Sequence, residues 1–212
     1  VIVLSDKYLG ETSFTEDEDI LDEVLKINRG EMVLSESKIP KNYKRYLLTA
    51  DGISPRTIPG FAGGEHVANS DEHNEFSFSD EGSQNRIDQM DKRLKKLDGV
   101  AANIPLPKVY GPQKADITLV AWGSTLGVLC DAMDEINSRS KNKVNLVHFS
   151  YIWPLHKNTD KFLAKFKKLV LVENNATGQL GKLISQETGI QIENKILKYD
   201  SRPFWIDELV EK

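Results

Sequence analysis

The chain has 212 residues, a length that fits one large domain or two small ones. With 39% hydrophobic and 28% charged residues it has the composition of a globular protein, which excludes a wholly disordered or collagen-like chain. The 28 lysines and arginines against 32 aspartates and glutamates give a net charge of −4, so we expect no nucleic-acid partner. No apolar run approaches the ~20 residues that cross a bilayer, and we expect no membrane partner.

The chain opens with a nearly continuous β-branched run at residues 1–4, followed by Ser5 and Asp6. Such a run is typical of a strand buried on both faces of a parallel sheet, whose neighbours are joined to it by crossover helices. We expect those neighbours to belong to a preceding domain. We therefore expect residues 1–10 to form the closing strand of a truncated domain, while an edge strand of the downstream domain is the alternative.

Residues 11–112 show little regular pattern, and we expect a linker or wrapping region with short helices there. Thr15 and the acidic residues 16–19 lead into apolar residues at helical spacing, which predicts a helix that ends before Gly30. Residues 43–48 suggest one short strand. Turn dipeptides recur over residues 43–64, so this segment is predicted to be a loop or a hairpin.

A second helix is predicted over residues 84–97, where apolar side chains recur at helical spacing with lysine and arginine between them. Pro105, Pro107 and Pro112 follow this segment. Because proline lacks an amide donor and keeps the preceding residue out of the helical region, these prolines predict an extended linker.

From residue 113 to 212 the sequence alternates short apolar runs with helical patterns. The predicted elements are a strand at 117–122, a helix with an apolar stripe at 126–136, a strand at 144–149, a short helix at 158–166, a strand at 169–173, a helix that Gly189 ends, and a last strand region at 190–197. This alternation implies parallel βαβ units with right-handed crossovers. The predicted fold class is therefore α/β, a mostly parallel sheet with helices on both faces.

Cys130 is the only cysteine of the chain. One thiol forms no internal disulfide, and by itself it supplies no cysteine-only zinc or iron–sulfur site. A single cysteine is typical of a reducing compartment, so a cytoplasmic protein is expected.

Two glycine-containing turns between a strand and a helix are candidate binding sites. In the first, residues 122–127, Ser124 and Thr125 accompany amide groups that could hold an anion. The turn matches neither a P-loop nor a dinucleotide-binding fingerprint, and the alternative is that Ser124 or Thr125 caps the helix.

The second turn, residues 173–181, offers Asn175, Gly178 and Gln179 as candidate binding residues. The alternative is that Thr177 caps the helix while the neighbouring asparagines satisfy backbone groups. Because ligands bind at the carboxyl ends of strands in open α/β sheets, we expect the two turns to be near neighbours on one edge.

Two further patterns precede the α/β half. Arg56 follows a turn that Pro55 restricts and could bind a carboxylate or phosphate, with an ordinary salt bridge as the alternative. The carboxylates and histidines of residues 65–73 match no zinc spacing, so no metal site is expected. No nucleophile elbow and no complete acid–base pair appears, and we assign no catalytic residue.

Motifs spread over almost the whole chain resemble one enzyme family in their order and spacing. They are residues 1–10, residues 46–60 with Asp51-Gly52-Ile53-Ser54-Pro55-Arg56, Glu72-His73, Arg86, Met90, Lys92-Arg93, and residues 122–125, 172–175, 177–180, 198–200 and 202–204. Together they resemble the C-terminal half of the α subunit of 2-oxoacid:ferredoxin oxidoreductases, close to the 2-oxoglutarate type.

The resemblance implies oxidative decarboxylation of a 2-oxoacid onto coenzyme A, with electrons passed to ferredoxin. It also implies thiamine diphosphate with Mg²⁺ and iron–sulfur clusters as cofactors of the whole enzyme. In this family the α subunit contributes a pyrimidine-binding domain and then a domain like the transketolase C-terminal domain. Residues 113–212 resemble the second of these, and residues 1–10 resemble the end of the first.

Several features of the family are missing from this chain. They are the Tyr-Pro-Ile-Thr-Pro segment and the acidic residue expected at the thiamine pyrimidine ring, while the diphosphate–Mg²⁺ motif and the cluster cysteines belong to a β subunit. We therefore expect a structural and subunit-contact role, no cofactor bound by this chain, and no activity of the chain alone. A coenzyme A- or anion-binding α/β module is the alternative, and a free-standing flavodoxin-like protein is a third and weaker one.

Overall fold

The structure is a computed structural model that describes residues 2, 5–13, 15–18 and 27–211. It divides the chain into two compact units, Val1–Thr15 with Asn103–Lys212 as the first and Glu16–Ala102 as the second. The strand predicted at residues 1–4, apart from Ile2, and most of the helix predicted after residues 15–19 lie outside the described residues.

The elements alternate strand and helix in the second half of the chain. In chain order they are α1 (Lys7–Glu11), β1 (Met32–Val33), a 3-10 turn (Glu36–Lys38), β2 (Arg56–Thr57), α2 (Ser83–Asn103), β3 (Lys108–Tyr110), β4 (Ile117–Trp122), a 3-10 turn (Gly123–Thr125), α3 (Leu126–Arg139), β5 (Val144–Phe149), α4 (Thr159–Leu163), β6 (Leu169–Glu173), α5 (Gln179–Thr188), β7 (Asn194–Leu197) and α6 (Ile206–Val210).

The first unit is built on a five-stranded sheet with the order β3-β5-β4-β6-β7. Strands β4 to β7 are parallel to one another, and β3 pairs antiparallel with β5, with Lys108 opposite His148. The segment predicted as an extended linker after Pro105 contains β3, which the sequence analysis did not predict. Pro107 and Pro112 flank β3 and stay outside its hydrogen-bond ladder, which is how an edge strand tolerates proline.

Two apolar cores cover the two faces of this sheet. On one face the β4 side chains Leu119 and Ala121 pack with Leu129 of α3 and Leu209 of α6. On the other face the cluster comprises Val120, Val147, Phe149, Leu155, Leu163, Leu171, Leu180, Ile184 and Ile192, and so includes side chains of α4 and α5. Alternate side chains of a strand point to opposite faces, so β4 contributes to both cores. The predicted α/β class with helices on both faces is confirmed.

The second unit holds the predicted amphipathic helix as α2, which extends to Asn103 rather than residue 97. The helix ends before Ile104-Pro105, since a residue that precedes proline disfavours the helical conformation. The loop predicted over residues 43–64 is confirmed, apart from the two-residue pairing of β2 with β1.

The strand predicted at residues 43–48 is wrong, because Glu75 engages that backbone. The amide of Leu48 donates to the Glu75 carboxylate at 2.9 Å, and the amide of Tyr46 donates to the Glu75 carbonyl at 3.1 Å. Leu47 N–H donates to the Lys44 carbonyl and closes a turn (3.3 Å). Within the part of the chain that the structure describes, no helix is long and apolar enough to span a bilayer.

Candidate functional site

A cavity of about 570 Å³ opens where β4, β6 and β7 end in the first unit. The carboxyl edge of a parallel sheet is where α/β proteins usually bind ligands. Its walls include Asp6, Lys7, Tyr8, Ser124, Thr125, Asn174, Tyr199, Arg202 and Phe204. The cavity therefore brings the first predicted turn next to a residue of the second.

The first turn is held by internal hydrogen bonds. Thr125 Oγ1 donates to the Trp122 carbonyl at 2.8 Å, and Ser124 Oγ donates to Asp6 Oδ2 at 2.7 Å. His148 Nε2 donates to the Gly123 carbonyl at 3.0 Å, and burial lowers the pKa of this imidazole. Thr125 occupies the N-cap position of α3, as the alternative predicted, but its side chain makes no capping hydrogen bond. The 3-10 turn before α3 directs both hydroxyls to other acceptors.

Asp6 connects the N-terminal segment to this turn. Its carboxylate accepts the Leu9 amide at 2.8 Å and so caps α1. The hydrogen bonds from Leu9 and from the Ser124 hydroxyl lower the pKa of Asp6. Asp6 is therefore ionised and accepts a hydrogen bond from the Ser124 hydroxyl. The Ser124 hydroxyl is thus used in a contact within the protein.

Asn175 organises the second turn. Its Oδ1 accepts the backbone amides of Thr177 (3.1 Å), Gly178 (2.7 Å) and Gln179 (3.3 Å). The prediction that an asparagine satisfies backbone groups is confirmed, while the predicted Thr177 cap is wrong, because Gly178 occupies the N-cap position. Gly178 has φ of 64°, a left-handed conformation that favours glycine.

Glu173, the last residue of β6, is fully buried behind this turn and receives four hydrogen bonds. Oε2 accepts from Trp122 Nε1 (3.1 Å), Asn175 Nδ2 (2.6 Å) and the Leu180 amide (3.1 Å), and Oε1 accepts the Gly181 amide (3.2 Å). The bond from Trp122 joins the two turns, so the predicted neighbourhood is confirmed. An external anion at the start of α5 would have to displace the carboxylate of the protein itself.

The sequence analysis included Glu173 in the second turn but did not predict that its carboxylate holds this edge. A glutamate at the end of an apolar strand, a few residues before a helix, is a signal that could have indicated it. Lys198 was missed in the same way. Its ammonium lies 2.6 Å from both carboxylate oxygens of Glu208, in a side chain that is only 10% exposed.

The cavity is lined by charged side chains of both signs and by aromatic rings. The side chains of Lys7 and Arg202 supply cations, and Tyr8 and Tyr199 supply aromatic rings. The described lining contains no histidine or cysteine, the groups that most often act as base or nucleophile near neutral pH. Cys130 lies on α3 as a free thiol, and burial raises its pKa.

Arg56, the remaining predicted site residue, belongs to the second unit. As the first residue of β2, it donates its amide to the Glu31 carbonyl at 2.9 Å. Its guanidinium donates to the carbonyl of Arg29. The hydrogen bond identified for this guanidinium is therefore made to the main chain rather than to a carboxylate.

The acidic loop at residues 65–73 is held by arginines and by an aromatic ring. Glu72 lies 2.6 Å from both Arg86 and Arg93, and His73 stacks on Tyr46 with ring centroids 3.6 Å apart. The described residues contain no group of three His, Cys, Asp or Glu side chains that could hold a metal. They therefore offer no ligand set for the Mg²⁺ or the iron–sulfur clusters that the resemblance implies.

Replacing Glu72 by glutamine is expected to remove an acid-dependent part of the stability. Arg93 and Arg86 lower the pKa of Glu72 from 4.5 to about 2. A carboxyl whose pKa is lower in the folded state contributes stability above its unfolded pKa and loses it as pH falls from 4.5 towards 2. With allowance for the solvent around the arginines, Glu72→Gln should lower the free energy of unfolding at pH 5 by about 2 kcal/mol.

Denaturant unfolding between pH 5 and pH 2 measures this effect. Glu72→Gln should be less stable than the parent at pH 5, and the difference should shrink at pH 2. The matched control is Glu81→Gln, which removes an exposed carboxylate before the same helix and should retain the parental pH curve. An equal loss at both pH values would contradict the assignment.

Comparisons with known proteins place the chain in a family. No family model matches it. It is 34% identical to the α subunit of 2-oxoacid:ferredoxin oxidoreductase from Saccharolobus solfataricus, over 89% of this chain and 30% of that protein. Subunit α of 2-oxoacid:ferredoxin oxidoreductase 1 from Sulfurisphaera tokodaii is 36% identical over 88% of this chain and 29% of that protein.

A solved structure of a related enzyme is similar to this chain in its fold. The 2-oxoglutarate:ferredoxin oxidoreductase from Magnetococcus marinus, solved with 2-oxoglutarate, coenzyme A and succinyl-CoA bound, matches with a TM-score of 0.72 and 32% identity. The match covers 80% of this chain and 30% of that chain.

The sheet is that of an α/β protein. The relatives named above are α subunits of oxidoreductases. The chain is homologous to 2-oxoacid:ferredoxin oxidoreductase α subunits over 88–89% of its length, and the resemblance predicted from the motifs is confirmed. It spans about 30% of the length of the relatives that it matches.

Proposed function

We propose that this chain is a structural and subunit-contact part of the α subunit of a thiamine-diphosphate-dependent 2-oxoacid:ferredoxin oxidoreductase. The enzyme would convert a 2-oxoacid such as 2-oxoglutarate to its acyl-CoA and pass electrons to ferredoxin. The similarity to the Magnetococcus marinus enzyme, which was solved with 2-oxoglutarate, coenzyme A and succinyl-CoA, carries this proposal.

The geometry of the sheet edge supports a structural role. The amides at the start of α5 are bound by Glu173 and Asn175, and the Ser124 hydroxyl is bound by Asp6. Polar groups that are satisfied internally stabilise a fold and leave little capacity for a reacting molecule. In this proposal a thiamine- and iron–sulfur-binding β subunit supplies the cofactors, and the complex works in the cytoplasm with ferredoxin as electron acceptor.

An activity assay tests the proposal. The chain alone should not reduce a viologen dye in the presence of 2-oxoglutarate, coenzyme A and thiamine diphosphate. Addition of the polypeptides that carry the rest of the α subunit and the β subunit should give reduction that requires all three compounds. Robust turnover by the chain alone would contradict the structural role, and absence of turnover by the complete mixture would contradict the enzyme assignment.

The cavity favours a second candidate function, the binding of coenzyme A or another anion. Arg202 provides positive charge, as does Lys7, whose ammonium lies 3.8 Å from Glu11 of the same wall. Tyr8 and Tyr199 provide surfaces on which a planar group could stack. Calorimetric titration with coenzyme A separates the candidates. Saturable heat that Arg202→Gln abolishes would favour the binding module, whereas the structural role predicts no saturable heat.

A further inference from the structure

Exposed aromatic side chains of the first unit are concentrated at one edge of the sheet. The chain has three tryptophans, and in the structure Trp122, Trp153 and Trp205 are 36%, 58% and 64% exposed. Tyr151 and Tyr199 are exposed with them. We name these five residues the aromatic edge.

Connectivity places all five at the carboxyl end of the parallel strands. Trp122 is the last residue of β4, Tyr151 and Trp153 follow the end of β5, and Tyr199 follows the end of β7. The Trp205 amide donates to Glu208 at 2.8 Å, and Glu208 is held by Lys198 directly after β7. Trp205 is therefore fixed at the same edge.

The opposite edge of the sheet carries no such cluster of exposed aromatic side chains among the described residues. Among the described residues of this unit, the exposed large apolar side chains are those of the aromatic edge, of its neighbours Leu106 and Ile206, of α1 and of Ile2. Leu106 precedes β3, whose first residue, Lys108, pairs with His148 near the end of β5. Helix α1 is joined to this edge by the hydrogen bond between Asp6 and Ser124. Isolated exposed apolar residues are ordinary, but a cluster of large aromatic ones is typical of a protein–protein interface.

Part of the aromatic edge is already ordered for binding. The Trp122 indole donates to the buried carboxylate of Glu173 at 3.1 Å, which fixes the ring while leaving much of it exposed. A ring held in place loses little conformational entropy when a partner covers it, and tryptophan and tyrosine are common among the residues that dominate binding energy.

We propose that the aromatic edge is a docking surface for the remainder of the oxidoreductase α subunit. This proposal rests on the proposed function. The relatives are about three times as long as this chain, and in the Magnetococcus marinus structure the corresponding fold is 30% of a longer chain. Most of such a chain lies outside this fold, and the aromatic edge is the apolar surface of the first unit that could be buried against it.

The test compares single substitutions that remove an exposed ring. Trp205→Ser and Trp153→Ser should each weaken binding of this chain to the remaining α-subunit polypeptide at least tenfold, as measured by analytical ultracentrifugation. Phe78→Ser is the matched control, because Phe78 is 60% exposed but lies in the second unit, and it should change the affinity less than twofold. Unchanged circular dichroism confirms that each variant folds.

A second readout uses the position of the tryptophans. Complex formation should shift the tryptophan emission to shorter wavelength and reduce quenching by acrylamide, since all three tryptophans lie on the proposed surface. Binding by both tryptophan variants at the parental affinity would overturn the proposal. Acrylamide quenching of tryptophan emission that is as strong in the complex as in the free chain would overturn it too. Self-association of this chain through the same tryptophans, without binding of the other polypeptide, would also overturn it.

The viologen assay distinguishes failure of this inference from failure of the proposed function. If the assembled mixture is active and the tryptophan variants bind normally, the docking surface is wrong and the function stands. If neither the parent chain nor any variant forms an active mixture, the proposed function is wrong as well.

Discussion

Replacement of Glu173 by glutamine should lower the free energy of unfolding by about 3 kcal/mol. The carboxylate accepts four hydrogen bonds in a fully buried position. A glutamine has one acceptor oxygen and one amide that only donates, so at least one of the four donors loses its partner. The remaining bonds lose their charge assistance, and the start of α5 loses a favourable negative charge.

Hydrogen exchange of the amides in β4, β6 and α5 measures this loss locally, which matters in a chain with two compact units. Glu193→Gln is the matched control, since it removes an exposed carboxylate between α5 and β7 and should change stability by less than about 0.5 kcal/mol. Glu173→Leu should be worse than Glu173→Gln because it satisfies none of the four donors. If both Glu173 variants matched the control, Glu173 would not stabilise the edge.

The central strands could be predicted from the sequence to within a residue. Each of β4, β5 and β6 is a mostly apolar run, because a parallel strand is buried on both faces. The buried polar residues within these strands are hydrogen-bonded, as Thr118 is to Asn145 at 2.6 Å. The end of α5 was equally clear, since Gly189 takes the left-handed conformation that ends many helices. In these elements the local pattern and the tertiary environment favour the same structure.

Elements that depend on distant partners could not be predicted. The short α1, β3 and α6 have few residues over which a period can be recognised, and α6 packs through Leu209 into a core formed mainly by other elements. The turn at residues 43–48 is held by Glu75, far along the chain. Hydroxyl residues were expected to cap α3 and α5, whereas Glu173 and Asn175 satisfy the first amides of α5 from the preceding strand and turn.

The candidate site was predicted in its position but not in its contacts. Parallel topology requires the two turns to share an edge, so their neighbourhood followed from the predicted strand order. The use of their polar groups did not follow, because Glu173 and Asp6 reach these turns from other elements. The sequence pattern shows which groups are present, and only the tertiary fold determines whether their hydrogen bonds are already made.

Substitution of Gly52 by alanine should destabilise the second unit by about 3 kcal/mol. Gly52 lies in the Asp51-to-Arg56 motif with φ of 75°, and a Cβ atom there would be 2.3 Å from the Lys92 carbonyl oxygen of α2. The backbone of a long helix cannot move away cheaply, so the loop must shift. The strain of a left-handed alanine adds to the cost of that contact.

Gly60→Ala separates these two contributions. Gly60 also has a positive φ, 96°, but nothing lies within 4 Å of the position that a Cβ would take. It should therefore show only the conformational cost, about 1 to 2 kcal/mol. Hydrogen exchange of the α2 amides provides the measurement, and Gly52→Ala should accelerate it far more than Gly60→Ala. Equal effects of the two substitutions would show that the motif does not rest against α2, and its glycine would then serve the turn alone.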